Sequence, residues 1–293
     1  MIVRTMDQRF AVLRVLRSGT DEEIYVCRDL NDPGGELCTL ARFRNPALNR
    51  YLLPMLARQQ ENPAFEDFLG LFSRDGDLYA RFRYSEAPFL SQRLEAGDFG
   101  FEERLVIGGN LLERMTLLNM PAPLQFEALR ERNVTVDDSL QVRFNYVLES
   151  MTACYNVDMG FVCVRVGELL RVLFAPELEA RGVPELEEYL QALDLAKYSS
   201  YLELYRAYDG VRAALRGRVR NGKVEPDTWL FRLWGRIKEL RRFVKPVLGG
   251  LVLVAAFCYL VYTLLVPATP TGTPVRFDAI GTVEIQSAQT PGS

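Results

Sequence analysis

No histidine occurs anywhere in the 293 residues. That excludes Ser–His and Cys–His hydrolases and every histidine-ligated metal site, because each needs an imidazole as base or ligand. Cysteine is scarce. The five present (Cys27, Cys38, Cys154, Cys163, Cys258) show no C-x-x-C spacing and sit in apolar runs. Such a pattern suits buried free thiols in a reducing compartment better than disulfides or metal ligands. Positive charge is also in deficit over most of the chain. Residues 1–215 carry 24 basic against 33 acidic side chains, a net of −9, while residues 216–245 carry 10 against 3, a net of +7. A nucleic-acid-binding protein would carry its basic charge on the folded body, so this distribution argues against one.

What is present begins with one long apolar run. VLGGLVLVAAFCYLVYTLLV, residues 247–266, holds no charge and is bounded by Pro246 and Pro267. At about 1.5 Å per helical residue it matches the roughly 30 Å hydrocarbon core of a bilayer, which predicts a single transmembrane helix rather than a buried core helix. It lies far from the N-terminus, unlike a signal peptide. The flank before it carries Arg232, Arg236, Lys238, Arg241, Arg242 and Lys245 against Glu239, and the flank after it only Arg276. The positive-inside rule then places residues 1–245 in the cytoplasm and a short tail, residues 267–293, outside.

Within residues 216–245, Trp229, Leu230, Leu233, Trp234, Ile237, Leu240 and Val244 recur at helical spacing, with the basic residues mainly between them. This predicts an amphipathic juxtamembrane helix whose lipid-facing residues are Trp229, Arg232, Trp234, Arg236, Lys238, Arg241, Arg242 and Lys245. Two uses stay open: setting topology, or binding anionic lipid specifically. Beyond the span, PATPTGTP reads as an extended linker. The following VRFDAIGTVEIQ is strand-forming, and disorder is favoured there over pairing with a partner's edge strand.

The expected cytoplasmic body, residues 1–215, divides into a β-rich part over about 8–90 and a helical part over about 91–215. RFAVLRVLRSG, EIYVCRDL and LCTLARFR read as strands, with NDPGGE as a turn between the last two. PALNRYLLPMLARQQ reads as a helix, and FEDFLGLFSRDGDLYARFRY as two strands around SRDGD. Next come a helix over ERLVIGGNLLERMTLLNM, the charged and loop-like FEALRERN, and a hairpin from VTVDDS and LQVRFNYVLE. The rest is mostly helical: GFVCVRVGELLRVLF, VPELEEYLQALDL and SSYLELYRAYDGVRAAL. This order describes an α+β fold. Tyr198, Tyr201, Tyr205 and Tyr208 stand at helical spacing and are expected in the core more than at an interface.

The order of elements and the local text resemble the protein kinase family. LRSGTDEEIY, residues 16–25, is similar to the kinase glycine-rich hairpin L-G-x-G-x-x-G-x-V-Y at Leu16, Gly19, Ile24 and Tyr25, but has Arg17 and Glu22 at the first and third glycine positions. TLAR ends in Arg42 where the family has the lysine of V-A-I-K. FEALRERN resembles the catalytic loop H-R-D-L-x-x-x-N at Leu129 and Asn133, but has Phe126, Glu127 and Ala128 at the His, Arg and Asp positions. The metal-binding D-F-G position falls on Phe144-Asn145-Tyr146. The stretch from Asp158 resembles the Asp-led buried helix of the helical lobe. Ala175-Pro176-Glu177 matches the A-P-E triplet but lies after that helix instead of before it, and reads as chance.

The resemblance implies a two-lobed kinase-like domain with a β-rich N-lobe and an abbreviated C-lobe, followed by the single membrane span. Phosphoryl transfer needs a base for the hydroxyl and a carboxylate for the metal, and Ala128 and Phe144 supply neither. The expectation is therefore a pseudokinase without cofactor or catalytic residues, acting as a scaffold or interaction module with membrane lipids and with membrane or cytoplasmic protein partners. Its layout is also similar to the kinase-like component of bacterial type VII secretion systems, from which it departs in having almost no exterior region. Two alternatives stand beside it. One is an atypical nucleotide-binding or phosphotransfer enzyme using Asn133, Asp137, Asp138 and Asn145, although Asp137-Asp138 reads first as a hairpin turn. The other is a lipid-sensing regulator built on the basic helix.

Overall fold

A computed structural model describes residues 2–4, 8–31, 34–180 and 182–220, all within one compact unit. An antiparallel sheet comes first. Its strands are β1 (Ile2–Arg4), β2 (Arg9–Ser18), β3 (Glu22–Asp29), β4 (Leu37–Phe43), β5 (Phe68–Arg74) and β6 (Asp77–Arg83), in the spatial order β1-β2-β3-β4-β6-β5. The helix α1 (Pro46–Gln60) interrupts it between β4 and β5. Asn45 starts that helix by accepting from the backbone N–H groups of Ala47 and Leu48, and Pro46 occupies a first-turn position where no N–H is required.

Helices dominate afterwards: α2 (Leu90–Glu95), α3 (Phe101–Leu118) and α4 (Ala122–Ala128), then the small hairpin of β7 (Val134–Val136) and β8 (Val142–Phe144). A 3₁₀ turn over Met151–Cys154 leads to α5 (Met159–Leu173), α6 (Ala175–Glu179), α7 (Pro184–Asp194) and α8 (Tyr201–Arg220). The class is α+β, a curled six-stranded sheet followed by a helical region. The sheet takes in β1, ahead of the expected start near residue 8, and α8 runs past residue 215. Among the described residues no helix is long and apolar enough to cross a membrane. The predicted span, its basic flank and the tail all lie outside the described residues.

The sheet buries both of its faces. Ile24, Ala41, Phe43, Ala80 and Phe82 join Leu48, Leu52 and Leu56 of α1 in the main core, which continues into the helical region. The opposite face curls onto itself around Val3, Phe10, Tyr25, Cys27, Cys38, Leu40 and Tyr79. The long helices pack closely enough to need a glycine: a Cβ on Gly108 of α3 would overlap the Tyr208 hydroxyl of α8, which donates to Leu105 O at 3.1 Å.

α5 is led by Asp158 and buried along one side. Asp158 caps it through the N–H groups of Gly160 and Phe161, and Val162, Cys163, Val166 and Leu170 are buried, but Phe161, Val164 and Val172 are exposed. A helix core-packed on one side only is what the short helical region leaves room for. Among the tyrosines, Tyr208 is fully buried and Tyr201 donates to Met120 O at 2.9 Å, whereas Tyr198 and Tyr205 are half-buried.

Candidate functional site

The segments that resemble kinase motifs meet at the junction between sheet and helices. Gly19 closes the β2–β3 turn by donating its N–H to Glu22 O at 2.9 Å. The two residues at glycine positions then reach across the junction. The buried Glu22 carboxylate accepts from the Ser150 N–H at 2.5 Å, and Arg17 lies 3.3 Å from Glu22 and 3.5 Å from Glu149. Ser150 has φ 59°, in the left-handed region, so the captured N–H belongs to a backbone that needs such a hold. The Glu22 carboxylate, at a glycine position of the resemblance, is thus bonded into the junction.

FEALRERN is only partly a loop. Pro121 and Pro123 favour a helical start, and α4 runs through Phe126, Glu127 and Ala128 before the chain turns over residues 129–133. Ala128 and Leu129 are fully buried. Phe126 lies under the Arg165 guanidinium, 4.5 Å from the ring centre. Asn133 ends the turn with its amide fully employed: Nδ2 donates to Glu127 O at 2.7 Å and Val147 O at 3.2 Å, and Oδ1 accepts from the Val147 N–H at 2.6 Å. The segment closes a turn around a buried amide.

Glu127 is the unusual group. It is fully buried, with Oε1 2.7 Å from Arg130 and 3.5 Å from the Cys154 thiol that donates to it. Burial pushes its carboxyl above the ordinary 4.5, aided by the Glu22 charge and opposed by Arg130 and Cys154. Burial and the neighbouring Glu127 likewise push the Cys154 thiol up to about 12, so this sulfur is not a thiolate at neutral pH.

Phe144, Asn145 and Tyr146, at the metal-binding position, are all buried. Asn145 is spent on the backbone: it accepts from the Ser85 N–H at 2.7 Å, donates to Ser85 O at 3.1 Å, and its own carbonyl accepts from Thr39 Oγ1 at 2.6 Å. The Tyr146 hydroxyl donates to Asp67 at 2.7 Å, and Arg114 holds the other Asp67 oxygen at 2.8 Å. Burial, then the Asp67 charge, keeps this phenol protonated well above its usual 10. The Asp67–Arg114–Tyr146 set had no signal in the sequence, since its members are 32 to 79 residues apart. Next to it lies a cavity of about 130 Å³ lined by Asp67, Arg83, Ser85 and Arg143. That is below the roughly 300 Å³ at which small-molecule sites begin.

Arg42 lies on the other face of the sheet from the one the kinase lysine would need. It is paired across the strands with Glu23 and Tyr79, bonds Glu23 at 2.9 Å and Asp77 at 2.6 Å, and sits with Tyr25 and Tyr79, away from α1. A kinase lysine must meet a glutamate on the helix that packs against the sheet. The sequence of α1 contains no acidic residue, so neither half of that ion pair exists.

Asp137 accepts from the N–H groups of Ser139 and Gln141, both at 2.9 Å, and Asp138 is fully exposed, as a hairpin turn requires. Among the described residues no group of three or more Cys, Asp or Glu is placed to hold a metal ion. Glu177 of the A-P-E triplet pairs with Arg104 of α3. Trp229, Arg232, Trp234, Arg236, Lys238, Arg241, Arg242 and Lys245 lie outside the described residues. No protein-family model matches the chain, and no curated protein matches it.

Proposed function

We propose that this chain is a kinase-like protein without phosphotransfer activity, held at the cytoplasmic membrane face by residues 247–266 and serving as a scaffold or interaction module for protein partners. Fold order supports the kinase-like part: after the short β1 come three strands (β2–β4), a helix, two strands, then helices around a small hairpin. The observation that carries the loss of activity is the bonding at the junction. Glu22 and Arg17 tie the glycine-loop position to Glu149 and Ser150, while Asn133, which matches the catalytic loop, and Asn145, at the metal-binding position, are consumed by backbone partners. That leaves neither amide free for a metal–triphosphate, and Ala128 stands where the family has its base.

Nucleotide binding tests this. The full chain, kept in detergent, is titrated with ATP by calorimetry and thermal shift, with and without Mg²⁺ or Mn²⁺. The expected result is no heat and no stabilisation at millimolar nucleotide. A metal-dependent shift abolished by Asn145→Ala would overturn it and favour the phosphotransfer alternative.

A further inference from the structure

The curled sheet nearly closes, and where it stops it leaves a gap. Among the described residues β1 bonds only to β2, and β5 only to β6, so these two strands are the edges of the sheet. They approach at one point, where Arg74 at the end of β5 donates to Arg4 O at 2.9 Å. Between them is a cleft of about 720 Å³, with Arg4 and Gln8 on one side and the β5 residues Leu69–Arg74 on the other. An edge strand presents unpaired N–H and C=O groups, and closing a barrel is the way to remove them; here closure is left incomplete.

The cleft has the character of a strand-addition site. A bulge between Phe68 and Gly70, with Leu69 O bonded by Arg81, interrupts the first part of β5. After the bulge the register is regular over Leu71–Arg74, which leaves a short straight edge facing the gap. Phe72 points to the sheet's inner cluster, so alternate residues of an added strand would meet apolar surface. The charge is one-sided. Arg4, Arg74 and Arg81 line the cleft, and among the described residues its lining contains no Asp or Glu. Arg81 is committed to Gln8, Leu69 O and the Asp29 carboxylate 3.5 Å away, so the charge open to a ligand is that of Arg4 and Arg74. Among the described residues Arg74 has the exposed Asp75 as its carboxylate neighbour, at 3.2 Å, besides its bond to Arg4 O, and Arg4 is exposed.

We propose that the gap between β1 and β5 takes an extended acidic segment of a protein partner, added as a strand along Leu71–Arg74 with its carboxylates on Arg4 and Arg74. This deepens the reading of the chain as an interaction module and rests on it. The ATP titration reads whether the chain has lost phosphotransfer, and a peptide titration reads the gap, so the two fail separately.

The probe is a labelled peptide of alternating Val and Glu with blocked ends, followed by anisotropy against the full chain in detergent. Its Lys counterpart, an alternately N-methylated Glu version and inorganic polyphosphate serve as competitors. The Val–Glu peptide should bind, and N-methylation should abolish binding by removing main-chain donors. The double variant R4E/R74E should weaken it by about tenfold or more, in line with close interfacial charge pairs, and gain affinity for the Lys peptide. R74E also removes the bond to Arg4 O, so R4E alone, which keeps that bond, is read beside the double variant and should weaken binding in the same direction with an unchanged melting temperature. No binding of the Val–Glu peptide at millimolar concentration would overturn the proposal. So would equal binding of the N-methylated peptide or equal competition by polyphosphate, which would mean charge attraction without strand addition.

Discussion

Asp67 at the junction and Asp194 on the outside of the helices each bond an arginine at short range, 2.8 Å to Arg114 and 2.5 Å to Arg171. Distance alone would rank the outer pair first. Burial reverses the order. Asp67 is 5% exposed and also accepts from the buried Tyr146, whereas Arg171 and Asp194 are 39% and 47% exposed. In water an ion pair replaces hydration that both partners already had. At the junction, removing one partner strands the others in a low dielectric. The polar groups that fix this protein are therefore the ones between its two halves.

The largest expected effect breaks the buried side of that contrast. Asp67→Ala leaves the buried Tyr146 hydroxyl without its acceptor and the Arg114 charge to the exposed Glu66, 2.9 Å away, and should cost about 3 kcal/mol of unfolding free energy in urea. A double-mutant cycle with Arg114→Ala should show strong coupling; additive losses would contradict the assignment. Asn133→Ala should come next, at about 2 kcal/mol, because the Val147 N–H loses its acceptor and the Glu127 and Val147 carbonyls each lose one of two donors.

Glu127→Gln sharpens the contrast through pH. The folded carboxyl titrates above the unfolded value of 4.5, so the folded state binds the proton more tightly. Glu127 therefore contributes a stability term that is present at low pH and lost as pH rises above 4.5 towards the folded pKa. The variant should show a flatter fall in stability above pH 4.5 than the parent chain. A parallel slope would mean that Glu127 is ionised in both states at ordinary values. Smallest of all, Arg171→Ala should cost less than about 1 kcal/mol, and moderate salt should erase the difference.

Most of the sheet was legible because β2, β3 and β4 are strand-forming runs bounded by turns, and α1 carries both its cap and its apolar spacing. The short pieces were not. β1, α2 and α6 have three, six and five residues, fewer than the two helical turns or strand repeats that a periodic pattern needs to show. Arg42 illustrates a different limit. Alternation along β4 predicts two faces, but Cys38 and Leu40 are buried on one and Ala41 and Phe43 on the other, so no polar face marks which side meets α1. The site was half legible: Ala128 and Phe144 could be seen to lack chemistry, but the partner of Glu22 lies 128 residues along the chain. No local rule connects Glu22 to Ser150.

The Tyr208 hydroxyl seated under Gly108 has a mechanical meaning. α8 is the last described helix, 20 residues or about 30 Å long. Any tension applied from beyond residue 220 enters the folded unit along it. That load falls first on the α3–α8 contact as shear, where a tyrosine lodged in a glycine notch resists sliding as a pin resists it in a slot. The sheet, with its gap, lies upstream in the chain and would be spared until that contact yields.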